Sequence, residues 1–174
     1  MKSLFIIAQD GYQDIEYETP KRILETAGIQ VVTASKKVGT CKGKLGGSAQ
    51  ATISIDDVDV SDYAAVIFIG GPGAVAFQQD VQAHLTAQEA TTNPRVKVLG
   101  AICIAPTILA KAGVLEGKKA TVWNNDGQQS TLLEQEGAIY IAQAVVVDGI
   151  IVTADGPQSA ELFGKKILEL LQKT

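Results

Sequence analysis

Apolar runs recur along the chain, with helix-periodic stretches between them. Leu4 to Ala8, Ile29 to Ala34, Ala64 to Ile69 and Val96 to Ile102 are nearly continuous and rich in β-branched side chains. Runs of that length predict strands buried on both faces. Between them, Asp14 to Ala27 reads as a helix closed by Gly28, and Gln78 to Thr91 as a helix broken by Asn93-Pro94. Ile104 to Ala112 is a further helix stopped by Gly113, and Gly127 to Gln135 another stopped by Gly137. Ser159 to Leu171 has the spacing of an amphipathic C-terminal helix. Gly39 to Ile55 is dotted with glycine and alternates weakly, which predicts a hairpin excursion outside the core. Ala120 to Trp123 reads as short and extended, while Ala144 to Val147 and Ile150 to Ala154 flank the turn pair Asp148-Gly149.

Buried strands alternating with helices predict an α/β fold with a mostly parallel sheet covered on both faces. With right-handed crossovers this becomes a flavodoxin-like three-layer sandwich. Ligands bind such sheets beyond the carboxyl ends of the strands. In the flavodoxin-like order the first, third and fourth predicted strands are neighbours. The loop from Gln9 to Gln13, the turn Gly70 to Gly73 and Cys103 therefore meet at one rim.

The 174 residues, 46% hydrophobic and 20% charged, fit a single domain spanning 1–174. A net charge of −4, with no basic run, argues against a nucleic-acid partner. Two cysteines, Cys41 and Cys103, form no disulfide framework, and a single histidine with no Cys/His cluster argues against a zinc site. The apolar start at Leu4 meets Asp10 too soon for a signal peptide, and no stretch is long enough to span a membrane. A reduced, cytoplasmic setting is expected.

Cys103 sits where the fourth strand turns into a helix, in Ala101-Ile-Cys-Ile-Ala-Pro106. A thiol beside a helix N-terminus is drawn towards thiolate, whereas free cysteine is also a common core hydrophobe. Asp14, Glu16 and Glu18 crowd the first turn of the first helix, and position alone does not choose among them. Helical spacing separates Glu16 from the other two, so that Glu16 facing the sheet would face Cys103. Gly70 and Gly71 allow close backbone approach, and their N–H groups with that of Ile104 could form an oxyanion hole. A tight turn that needs glycine is the alternative. Gly71-Pro-Gly73-Ala-Val-Ala76 also fits a dinucleotide fingerprint, but it follows the third strand and carries a proline in the phosphate loop. Lys42 and Lys44 could attract an anionic substrate, but lysines on a hairpin read first as solvated edge protection. Cys41 reads as a partly exposed bystander, and His84 as a surface residue.

Asp14-Ile15-Glu16, the Gly70-Gly71 turn, Ala101-Ile102-Cys103, the hairpin at Asp148-Gly149 and the loop Thr153 to Pro157 together resemble the ThiJ/PfpI superfamily. The resemblance implies a commonly dimeric flavodoxin-like protein without cofactor or metal. It implies Cys103 as nucleophile on a strained elbow, Glu16 as its acid/base partner, and Gly71 and Ile104 as oxyanion donors. It also implies glyoxalase or deglycase work on small aldehydes such as methylglyoxal or on glycated substrates. Redox sensing or stress protection through Cys103 oxidation is the alternative, and cysteine peptidase or nucleotide-binding roles rank below both. Relatives with peptidase character carry histidine after the cysteine, where Ile104 stands. Others carry it in the loop after the next strand, where Trp123 stands beside Asn124. Trp123 and Asn124 are the pocket candidates, and weak turnover is the expectation.

Overall fold

The computed structural model describes residues 1–173. In chain order, β1 (Lys2–Ile6) and β2 (Asp10–Tyr12) lead into α1 (Asp14–Thr26), followed by β3 (Gln30–Ser35), β4 (Gly39–Gly43), β5 (Ser48–Ala51), β6 (Ile53–Ser54) and β7 (Ala65–Phe68). Then come α2 (Val81–Thr92), β8 (Val98–Ile102), α3 (Pro106–Lys111), β9 (Lys119–Ala120), α4 (Gln129–Gln135), β10 (Ile139–Tyr140), β11 (Val145–Asp148), β12 (Ile151–Ala154) and α5 (Ala160–Gln172).

The main sheet has seven strands in the order β11-β12-β8-β7-β1-β3-β6, all parallel pairs except the β11–β12 hairpin. α1 and α5 pack on each other over one face, and α2 and α3 lie together on the other. This is the mostly parallel flavodoxin-like α/β fold. Phe5, Ile67, Leu99 and Phe163 are fully buried in its core. Removing such side chains from water supplies about 1.5–3 kcal/mol each. The β1, β7 and β8 neighbours end together, as the strand order predicts.

Several boundaries differ from the sequence reading. Residues 72–79 wind as 3-10 turns, and α2 starts only at Val81, because the Asp80 carboxylate caps it by accepting the Ala83 N–H at 3.0 Å. Residues 103–105 form a turn, so α3 begins at Pro106 rather than Ile104. The extended stretch at 120–123 is a regular strand only at Lys119–Ala120, where it pairs with the unforeseen β10. The excursion is a β4–β5 hairpin, and it gains a third strand, β2, from the rim loop after β1. That extra pairing folds the hairpin back over the start of α1. Cys41, on β4, is consequently buried at 0% exposure instead of lying partly open.

Candidate active site

β8 delivers the sulfur. Cys103 follows its last residue at φ +65°, the one non-glycine in the left-handed region among the described residues. Such a backbone costs roughly 1–2 kcal/mol, and bonds on both sides hold it. The Cys103 N–H donates to Ala154 O, and the Trp123 N–H donates to Cys103 O, each at 2.9 Å. The Ala105 N–H closes the turn on Ile102 O at 3.1 Å. Pro106 then opens α3, at a position where a backbone donor is not needed.

α1 delivers the acid. Gln13 caps it by accepting the Ile15 N–H at 3.2 Å. The structure separates the three carboxyls that the sequence left open. Asp14 turns to the hairpin and accepts the Leu45 and Gly47 N–H groups, both at 2.7 Å. Glu18 is exposed. Glu16 is wholly buried, with Oε2 accepting the Gly70 N–H at 3.1 Å and its carboxyl close enough to the Cys103 side chain for each to shift the other's titration. Its Oε1 has no hydrogen-bond partner among the described residues.

β7 delivers the glycines. A Cβ on Gly70 would fall 2.6 Å from both Cys103 Cβ and Glu16 Oε2. Gly70 is thus needed for space rather than for backbone freedom. Its N–H is engaged by Glu16, which corrects the expectation that Gly70 donates to the oxyanion. The amides of Gly71, at φ +103°, and Ile104 are the ones near enough to favour charge on the sulfur.

The expected pull of a helix end on the thiol is also corrected. Burial, then the charge and hydrogen bond of Glu16, push the Cys103 thiol up to about 12, against the Gly71 and Ile104 amides. α3 is only six residues long, and a dipole so short offers little against burial. Burial likewise pushes Glu16 up to about 8, opposed by Cys103, Gly70 and Lys44. Near neutrality Glu16 keeps its proton. In that form it carries no charge to oppose the sulfur and has a hydrogen to donate to it. The two groups titrate as a pair.

A pocket of about 410 Å³ opens over Cys103, lined by Gln13, Lys44, Val75, Trp123, Asp126 and Gln129 among others. Trp123 is among the lining residues. Asn124 is not: its Oδ1 accepts the Ser130 N–H at 2.9 Å at the start of α4, and it faces a separate cleft. Lys44, read first as solvated edge protection, reaches the pocket from the hairpin. Gln13, Val75 and Gln129 were missed, and only Gln13, on the rim loop, carried a positional signal. His84 is half-buried rather than on the surface, its ring nitrogen 3.0 Å from Gln78 O, and it is not among the residues around Cys103. A larger cleft of about 470 Å³, near Lys118 and Asp148, has no cysteine, serine or histidine in its lining. Among the described residues no three His, Cys, Asp or Glu side chains are placed to hold a metal ion, and no helix is long and apolar enough to cross a membrane.

A parallel α/β sheet with a left-handed cysteine after a central strand, faced by a buried glutamate, defines a class of elbow-cysteine proteins. The chain belongs to the DJ-1/PfpI family, whose model matches residues 1–170. It is 30% identical over 172 residues to deglycase PfpI of Pyrococcus furiosus, covering 99% of this chain and 100% of that one. General stress protein 18 of Bacillus subtilis is 30% identical over 178 residues, covering 99% of each. The crystal structure of a ThiJ/PfpI domain protein from Brachyspira murdochii superposes with a TM-score of 0.92 at 30% identity, covering 98% of this chain and 95% of that one.

Proposed function

We propose that Cys103 and Glu16 carry out cofactor-free glyoxalase/deglycase-type chemistry on small reactive aldehydes such as methylglyoxal. One observation carries this reading: a sulfur on a strained backbone, with two amides nearby, stands across Gly70 from a buried acid that keeps its proton near neutrality. Relatives named as deglycases support it.

The sulfur bonds to the aldehyde carbon, the carbonyl π pair moves to oxygen, and the Gly71 and Ile104 N–H groups receive the developing charge. The pair first loses one of its two protons to water, and Glu16 then delivers the remaining one to that oxygen and is left as the carboxylate. As carboxylate, Glu16 then takes the proton from C1 and returns it to C2, while the hydroxyl proton on the first oxygen moves to the second. C1 is oxidised by two electrons as C2 is reduced, so no outside oxidant enters. Water cleaves the resulting thioester to lactate and restores the thiol. With Trp123 at the rim instead of histidine, one carboxyl serves every transfer, and turnover is slow.

Lactate formation from methylglyoxal tests this. Loss in Cys103→Ser, with a fall of roughly a hundredfold or more in Glu16→Gln, is expected. Undiminished lactate from Cys103→Ser would contradict it.

A second reading, redox sensing or stress protection, draws support from the same amide-flanked sulfur and from the relative named a general stress protein. Two equivalents of peroxide would convert the thiolate to a sulfinate, releasing two waters, with protonated Glu16 donating to a sulfinate oxygen. Absence of two added oxygens on Cys103 after mild peroxide would remove that reading. A homodimer belongs to the same proposal and is tested by analytical ultracentrifugation.

A further inference from the structure

The pocket over Cys103 is lined by apolar surface from Val75, Ile104 and Trp123, and by two charged side chains, Lys44 and Asp126. The two charges are not equivalent. Asp126 is already engaged within its own loop: Oδ1 accepts the Gln128 N–H at 2.9 Å, and Oδ2 accepts from Gln129 Nε2 at 2.8 Å. Lys44 is held only by its backbone, whose N–H donates to Tyr12 O at 2.7 Å. Its ammonium pairs with no carboxylate among the described residues. The hairpin that carries it is fixed in place by Asp14, through the Leu45 and Gly47 amides on either side of the hairpin tip. The field of Lys44 also reaches Glu16. A free cation on a tethered strand end thus overhangs a pocket whose one anion is committed elsewhere.

We propose that Lys44 makes the pocket selective for carbonyl compounds that carry a negatively charged group, a carboxylate or phosphate, near the reacting carbon. The inference deepens the reading above and rests on Cys103 being open to small electrophiles. The apolar wall at Val75 and Trp123 takes the carbon chain, and the ammonium of Lys44 takes the anionic end. An ion pair at the mouth of a solvent-open pocket is a modest effect, since water screens it. At a separation of roughly 7 Å in a water-like dielectric it is worth about a threefold preference, and added salt erodes it.

Alkylation of Cys103 tests this without requiring turnover. Iodoacetate and iodoacetamide are nearly the same size, and each forms a C–S bond with loss of iodide. Only iodoacetate is charged. The ratio of their rates at Cys103, followed by peptide mass mapping to exclude Cys41, cancels any change in the thiol's own reactivity. Relative to the native protein, Lys44→Gln is expected to lower the iodoacetate-to-iodoacetamide ratio about threefold at low salt. Lys44→Glu is expected to lower it further and Lys44→Arg to restore it, and the native ratio is expected to fall towards that of Lys44→Gln as salt rises. An unchanged ratio in Lys44→Gln and Lys44→Glu, with Cys103 readily labelled by both reagents, would overturn the role of Lys44 and leave the reactive thiol standing. A lower ratio at low salt than at high salt would mean that Asp126 governs the pocket, and would overturn it too. Failure of both reagents to label Cys103 would overturn both readings together.

Discussion

Gly70 is the position where a single methyl group tests the assembly most sharply. An alanine Cβ there would lie 2.6 Å from Cys103 Cβ, 2.6 Å from Glu16 Oε2 and 2.7 Å from Ile102 O. None of the three gives way freely: Ile102 O belongs to a central strand, Cys103 is clamped by two backbone bonds, and Glu16 is sealed from solvent. Overpacking of this kind costs about 1–3 kcal/mol. Disturbing the Gly70–Glu16 hydrogen bond adds roughly 1 kcal/mol. A loss of about 2–4 kcal/mol in a chain of this size lowers Tm by roughly 5–15 °C. A displacement near 1 Å between sulfur and carboxyl also costs on the order of a hundredfold in rate. Gly113→Ala is the control, because Gly113 sits at φ +78° with nothing within 4 Å of its Cβ. That variant carries backbone strain of about 1–2 kcal/mol and keeps native lactate formation. Scanning calorimetry and the lactate assay on both variants decide the matter. Gly70→Ala with native Tm and native turnover would refute the idea that Gly70 exists to let acid and thiol meet.

Glu16→Gln changes the pH dependence of stability. The folded-state value of Glu16, about 8, lies above its ordinary 4.5, so the native protein binds the extra proton between those limits and loses stability as pH rises through that window. Thermal melts from pH 4 to 9 are expected to show the native protein falling relative to Glu16→Gln across that interval, by on the order of several kcal/mol at the top. Parallel curves would contradict a buried, proton-retaining acid. Asp14→Ala removes both bonds that hold the hairpin, a loss of about 1–3 kcal/mol. Trypsin is expected to cut at Lys42 and Lys44 several-fold faster in that variant, and unchanged proteolysis would show that the hairpin is held by other means. Trp123→His places an imidazole in the pocket wall, and lactate formation is expected to rise tenfold or more. No gain would mean that proton transfer does not limit the native rate.

The architecture was legible because the four buried strands are nearly uninterrupted apolar runs, and right-handed crossovers leave few ways to order them. That order put residues 9–13, 70–73 and 103 on one rim, which is where β1, β7 and β8 end. Short elements were not legible. β2 and β10 each span only two or three residues, too few for a period to appear, and each is made by pairing with a distant strand. The burial of Cys41 and the reach of Lys44 both follow from β2, so both were misjudged or left open. At the site, Cys103 was legible from its place at a strand-to-helix turn. The choice of Glu16 over Asp14 needed the packing of α1, because Asp14 is withdrawn by the hairpin amides. The engagement of the Gly70 amide was out of reach, since a sequence shows which backbone donors could be free but not which side chain takes them. The thiol's upward shift was misread for a similar reason: the helix end was visible, but the burial around the sulfur was not.

The pH–rate profile of Cys103 labelling by iodoacetamide, in the native protein and in Glu16→Gln, bears most directly on the pairing of sulfur and acid. The native profile is expected to rise first near pH 8, where the pair loses its first proton, and again towards pH 12. Glu16→Gln is expected to collapse this to a single step displaced by more than one pH unit from the native first rise. Superimposable single-step curves in the two proteins would show that the thiol does not sense Glu16.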